Sequence, residues 1–318
     1  MMTHGKENST SPPGVWQTIA AGFDLTARHF WLVLLPALLD SFYWLGPRLS
    51  LRPLVEQFVA LLPADPAIAG ITEQFITLAP RTNLFTSLSV PVLGLPALMV
   101  GAAPLETPLP TQVVELESLG LWLGLFLLFS LVGLLLTAVY FTLIAQEVGR
   151  KPDQIARLSF RNLVTRVVRL WGKLVGLTLA VILLAFLVYV PLIPLSLVLG
   201  LVSALLSAFV LMTGPVLILW LIIYLFFTPH GLALNGRSFL QSVSESVYLV
   251  RAHLFSVVGL MMILFLGRNI LATVLLLADD GSWLTLASIL GHAFVMTSLV
   301  AATFIYYRDR YPISLVVE

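Results

Sequence analysis

Long apolar runs separated by short polar stretches dominate the chain. A helix that crosses the hydrocarbon of a bilayer needs about 20 apolar residues. Runs of that kind occur at 29–46, 119–144, 174–190, 254–278 and 283–307. A further apolar stretch, 192–227, is too long for one helix; Pro191 and Pro194 break its start and Gly214-Pro215 interrupts it later. The pattern predicts a fourth span at 205–227, with 195–204 as a short apolar helix or re-entrant piece. The expected architecture is all-α, a polytopic bundle of six transmembrane spans.

The segment 84–103 is also apolar, but it contains Pro91, Gly94, Pro96 and Gly101. Such a stretch makes a poor lipid-facing helix, because its freed backbone groups have no partner in hydrocarbon. It is predicted to be a loop tucked against the bundle, within one long outer loop at 47–118.

Three spans are preceded by an amphipathic stretch with helical periodicity, here called an elbow: 15–28, 153–173 and 237–253. In the first, Trp16, Ile19 and Phe23 lie opposite Gln17, Asp24 and Arg28. In the second, Phe160, Leu163, Val167 and Leu170 oppose Arg161, Arg166, Arg169 and Lys173. In the third, Phe239, Leu240, Val243, Val247 and Val250 oppose Gln241, Ser242, Glu245 and Ser246. Helices of this composition lie at a membrane interface. The predicted unit is an elbow followed by two spans, repeated three times, and Arg28-His29-Phe30 echoes the run from Arg251 through His253 to Phe255.

The run from Phe227 to Phe255 resembles the membrane domain fused to some bacterial glycerophosphodiester phosphodiesterases, and related stand-alone six-helix bacterial membrane proteins. The matching features are a span closing at Pro229, a helix carrying Ser246, then Leu249, Arg251 and Phe255 leading into the next span. Ser242 stands where that family has a small Ala, and His230 or Leu232 where it often has an acidic residue. Trp16 to Leu35 is similar in style. The resemblance implies a fold; the soluble catalytic domain with its metal-binding residues is not among these residues, so it implies no phosphodiesterase activity.

Composition strengthens the membrane reading. Of 318 residues, 59% are hydrophobic and 10% charged, against about a quarter charged in soluble domains. The apolar excess has to face lipid. A net charge of +1 argues against nucleic acid as a partner. The absence of cysteine removes disulfides, thiolate metal sites and cysteine nucleophiles. Residues 1–14 are polar and lack the basic and apolar regions of a cleaved signal, so a disordered cytoplasmic tail is expected.

The placement of cations orients the spans. With six spans and both termini in the cytoplasm of a cell membrane, thirteen of the 17 Lys and Arg residues fall inside. Only Arg48, Arg52 and Arg81 fall outside, and the outer segments are instead acidic, with Glu56, Asp65, Glu73, Glu106, Glu115, Glu117, Asp279 and Asp280.

The remaining cation, Arg268, lies within a span, and polar groups at that depth are the main chemical leads. Counted from the outer ends of their spans, Asp40, Arg268, Asn269 and His292 fall at depths that agree within several Å, taking about 1.5 Å per residue. A buried cluster is predicted, with Asp40 paired to Arg268 and with Asn269 and His292 beside it. Arg157, Arg161, Arg166, Arg169 and Lys173 are candidates for binding anionic lipid headgroups. Glu147 is expected to be solvated at the interface. The Gly120/Gly124 and Gly172/Gly176 pairs are expected to let helices of this chain approach closely. Asp279-Asp280-Gly281 reads as an outer turn.

No phosphate-binding loop, zinc-protease signature or serine-hydrolase elbow is present. No cofactor and no enzymatic activity are expected. The function expected is that of a scaffold, assembly or lipid-interacting component, with anionic lipids and other membrane proteins as partners. The alternative is a permease for a small or lipid-like solute, on the strength of the repeat and the broken helix.

Overall fold

In a chain with so few polar side chains the backbone has to pair with itself, and the apolar runs accordingly form helices. The computed structural model describes residues 12–62, 66–91, 93–100, 107–150, 160–275 and 281–314. The order is α1 (Val15–Arg28), a 3-10 turn (Phe30–Val33), α2 (Leu34–Leu45), β1 (Arg48–Ser50), α3 (Arg52–Ala60) and α4 (Pro66–Leu78). After two short 3-10 turns come β2 (Val113–Glu115), α5 (Leu119–Gly149), α6 (Phe160–Gly200) and α7 (Ala204–Leu225). The chain closes with α8 (Thr228–Leu234), α9 (Phe239–Ala252), α10 (Leu254–Leu275) and α11 (Leu284–Ser314).

Five stretches are long and apolar enough to cross a membrane: Leu119–Gly149, Phe160–Gly200, Ala204–Leu234, Leu254–Leu275 and Leu284–Tyr311. The expected first span is shorter. Phe30–Leu45 combines four 3-10 residues with twelve α-helical ones. It extends about 26 Å, slightly less than a hydrocarbon layer of about 30 Å.

The helix α11 is the centre of the molecule. In its most apolar part 56% of residues are buried, against 6–11% for the other four spans. Ile289, Ala293, Ala301, Phe304 and Ile305 belong to a core shared with α2, α5 and the start of α6. Met296, Leu299, Ala302, Tyr306 and Tyr307 belong to a second core shared with α1, α9 and α10. By contrast α6 from Leu179 onward, and nearly all of α7, present apolar side chains outward.

Two differences from the expected spans concern proline and the second elbow. α6 runs unbroken for 41 residues through Pro191 and Pro194, and α7 runs through Pro215. An apolar segment gains nothing by unwinding where no water can pair its backbone, so proline is carried inside the helix. The second elbow is likewise not a separate helix: residues 160–173 form the beginning of α6, and 151–159 lie outside the described residues.

The first and third elbows do form, as 14-residue helices set 224 positions apart in matching register. Their N-caps, Gly14 and Ser238, have nearly the same backbone angles, φ −61° and ψ 163° against φ −66° and ψ 161°. In each, a Gln three residues on accepts a hydrogen bond from the cap amide: Gly14 N to Gln17 at 3.1 Å, Ser238 N to Gln241 at 3.3 Å. Each ends at a histidine, His29 or His253, whose amide donates to a leucine carbonyl four residues back, at 3.0 and 3.1 Å. The buried small residues also correspond, Thr18 and Gly22 with Ser242 and Ser246.

The long connection between α2 and α5 is fastened at its base. β1 and β2 pair in parallel, Arg48 with Val113 and Ser50 with Glu115. Beyond that clip, Leu84–Leu88 forms a 3-10 turn, and Leu95, Ala97, Leu98 and Met99 are buried. The loop backbone rests on α5 at Gly133, where a Cβ atom would stand 2.2 Å from the Leu88 carbonyl oxygen. Residues 92 and 101–103 of this segment lie outside the described residues.

Candidate functional site

Asp40 sits on the side of α2 that faces α11 and is fully buried. Its carboxylate accepts hydrogen bonds from the backbone amides of Leu98 and Met99, at 2.8 and 2.9 Å. One turn further, the Tyr43 and Ser89 hydroxyls share a hydrogen bond of 3.0 Å. The helix thus grips the inserted loop at its beginning and its end. This explains a carboxylate at a position where a charge is costly: it satisfies two amide groups of an irregular segment that has no strand or helix partner.

The predicted partner of Asp40 is corrected. Arg268 lies on the exposed side of α10, as does Asn269, whose side-chain amide donates to the Phe265 carbonyl at 2.7 Å. The position before it, Gly267, faces Leu299 of α11, and one residue turns a helix by about 100°. Residue counting placed Arg268 at a depth but not on a face, and α10 is apolar nearly all round. The group that does approach Asp40 is His292 of α11, with Nδ1 at 3.7 Å from Oδ2. His292 is buried, and neither ring nitrogen makes a hydrogen bond.

Toward the end of α11 that carries Arg308 and Arg310, several buried polar groups are joined helix to helix. Tyr140 of α5 donates to Thr297 at 3.1 Å. The Thr303 hydroxyl donates to the Val300 carbonyl and so accepts from His230 Nε2 of α8, at 2.7 Å. Ser246 joins α9 to the end of α7, accepting from Phe227 N at 3.0 Å and donating to the Tyr224 carbonyl at 2.7 Å.

Glu245 is the hub of this end and was not singled out by sequence reasoning. It accepts from Tyr307 at 2.9 Å and Tyr311 at 3.1 Å, and Arg237 stands 3.5 Å away. Arg237 also donates to the Tyr311 hydroxyl at 2.6 Å. The available signal was the spacing of Tyr307 and Tyr311, four apart and therefore on one side of α11. Lys173 closes the arrangement by donating to the Gly236 carbonyl at 3.1 Å and to the Arg237 carbonyl. Gly236 has φ +61°, a left-handed conformation that glycine adopts without cost. Lys173, expected at lipid headgroups, is therefore committed to a turn within the protein.

Of the other expected headgroup residues, Arg157 lies outside the described residues. Arg161, Arg166 and Arg169 are exposed on the first turns of α6 and form no ion pair among the described residues.

The corner residue His29 has an acceptor at each ring nitrogen: the Leu25 carbonyl at 3.1 Å from Nδ1 and Glu147 at 3.1 Å from Nε2. Both contacts are hydrogen bonds only when both nitrogens carry protons. Glu147, expected to be solvated, is mostly buried between His29 and Arg150. The corresponding His253 meets the opposite surroundings: burial, and then the nearby Arg310 guanidinium, lower its pKa. Arg310 itself packs over the Tyr306 ring at 3.6 Å and donates to the Pro13 carbonyl at 2.6 Å.

The glycine pairs named from sequence carry no close helix contact among the described residues. Gly120, Gly124, Gly172 and Gly176 are all exposed. Close approach occurs instead at Gly22, where a Cβ atom would lie 2.3 Å from the Ser298 carbonyl oxygen of α11. Among the described residues no three His, Asp or Glu side chains converge as a metal site would require.

No family model, curated protein or solved structure matches the chain.

Proposed function

We propose that this membrane protein is a non-enzymatic assembly or lipid-interacting component, multi-pass in the cell membrane, with its cation-bearing end in the cytoplasm. The observation that carries the reading is how the interior polar groups are used. Asp40 anchors a loop, Ser246 ties two helices, and Glu245 collects two tyrosines and an arginine. Groups committed to such bonds hold a bundle together, whereas a solute path needs groups left free to exchange partners. The exposed Arg161, Arg166 and Arg169 then supply attraction to anionic lipid, each contributing about 1 kcal/mol near a charged surface. The resemblance noted from sequence points the same way, since it implies a membrane fold.

The test is thermal stability of the full chain in nanodiscs of zwitterionic lipid, with and without anionic lipid. The expected result is a rise in melting temperature with anionic lipid that Arg161→Ala, Arg166→Ala and Arg169→Ala together remove. No rise in the wild type, or an equal rise in the triple variant, would overturn the lipid part of the reading.

A permease is favoured by one observation, the buried His292 with two unpaired nitrogens beside Asp40. Proton or solute flux in proteoliposomes that disappears in His292→Ala, in a folded protein, would favour it.

A further inference from the structure

The exposed side of α10 carries a feature that its lipid surroundings do not explain. Arg268, Asn269 and Thr273 are exposed among Phe265, Leu266, Ile270 and Val274, within an otherwise apolar helix. About 21 Å of apolar helix precedes Arg268 and about 10 Å follows it to Leu275. Among the described residues Arg268 has no hydrogen-bond or ion-pair partner. Asn269 and Thr273 spend protons on the Phe265 and Asn269 carbonyls, at 2.7 and 2.9 Å. A guanidinium offers five donors and stays charged, so it does not rest bare against hydrocarbon.

We infer that the Arg268 side of α10 docks a membrane-spanning helix of another protein, through an Asp or Glu at the depth of Arg268. Three observations select this occupant. The charge calls for a carboxylate, and a bidentate pair is the strongest bond a guanidinium makes. Asn269 and Thr273 continue the polar stripe along the helix, as a second helix would use it, whereas a headgroup would sit at one end. A second copy of this chain is a poor occupant, because among the described residues the carboxylate near that depth, Asp40, is engaged by two amides. Two copies meeting here would bring Arg268 against Arg268. The surface deepens the assembly reading above, and its test leaves the basic face of α6 untouched, so either idea can fail alone.

The chain has no cysteine, so a single donor dye placed through Val274→Cys reports on this face. The probe is a Leu/Ala host transmembrane peptide with an acceptor dye and one Asp at matched depth, beside an otherwise identical peptide with Leu there. Both are mixed with the full chain in phosphatidylcholine vesicles and association is read by energy transfer. The Asp peptide is expected to associate about tenfold more tightly than the Leu peptide. Arg268→Leu removes that preference and Arg268→Lys keeps most of it. Arg268→Leu puts an apolar side chain on an apolar face, and an unchanged melting temperature verifies the fold. The inference is overturned if wild type binds both peptides equally, since that contrast needs no variant. It is also overturned if Arg268→Leu keeps the Asp preference. Arg268-dependent transfer between two labelled copies, or an Arg268 effect that requires anionic lipid and ignores the peptide, would count against it equally.

Discussion

α1 and α9 share a length, a capping arrangement, a register of small residues and a terminal histidine, yet their neighbours use these features differently. The small face of α1 lets backbone meet backbone at Gly22 and Ser298. At the equivalent position of α9, Ser246 carries a hydroxyl that bonds two backbone groups at the end of α7. The corner histidines diverge further, since His29 stands against Glu147 while His253 lies near Arg310. Local sequence therefore specifies the elbow as a shape, and the packing partner decides its chemistry.

The largest effect expected from breaking this comparison is at Gly22. Gly22→Val forces side-chain atoms against a backbone oxygen that has nowhere to move, at a cost of about 3 kcal/mol; a melting curve in nanodiscs reads it. At the equivalent site, Ser246→Ala is sterically harmless but strands the Phe227 amide, and about 2 kcal/mol is expected. If Gly22→Val were the milder change, the close crossing with α11 would be wrong.

The corners come next. His29→Ala and Glu147→Gln should each lower stability by about 1 kcal/mol, and the double variant by clearly less than the sum, because the two side chains act on each other. Additive losses would deny the contact. His253 gives the smallest effect, and it depends on pH. Its lowered pKa means that the unfolded chain binds the proton more readily. Its contribution is whole above the ordinary imidazole value of 6.5 and declines as pH falls through it. The melting temperature of wild type minus that of His253→Gln should therefore shrink between pH 7.5 and pH 5.5, and a difference that grows over that interval has the wrong sign.

Much of the helical frame was legible in the residues, because membrane crossings need long apolar runs and elbows need a strong periodicity. The run at 15–28 becomes a helix with those bounds, and the runs at 205–227 and 254–278 begin within a residue of α7 and α10. Proline misled at 191 and 194, because rules learned in water overstate its power to end a helix in lipid. The second elbow lacked the corner that His29 and His253 mark, and so it continued into its span. The site was less legible. Asp40 and His292 could be placed together by depth, but Arg268 could not be given a face on a helix that is apolar almost all round. The true partners of Asp40 are backbone amides, which every residue but proline carries and which leave no signature in a sequence. Lys173 and Glu245 were lost for a related reason: their polar faces read as solvated until the turn at Gly236 and the tyrosines of α11 met them.

The central claim is that the buried carboxylate of α2 fastens the inserted loop and is not half of a solute path. Amide hydrogen exchange at Leu98 and Met99, in the full chain in nanodiscs, tests it most directly. These amides should exchange slowly in the wild type and become fast in Asp40→Ala, while the Ser89 amide, which donates to the Thr86 carbonyl, and the rest of the bundle stay protected. Fast exchange at both positions in the wild type, or slow exchange unchanged by Asp40→Ala, would contradict the account.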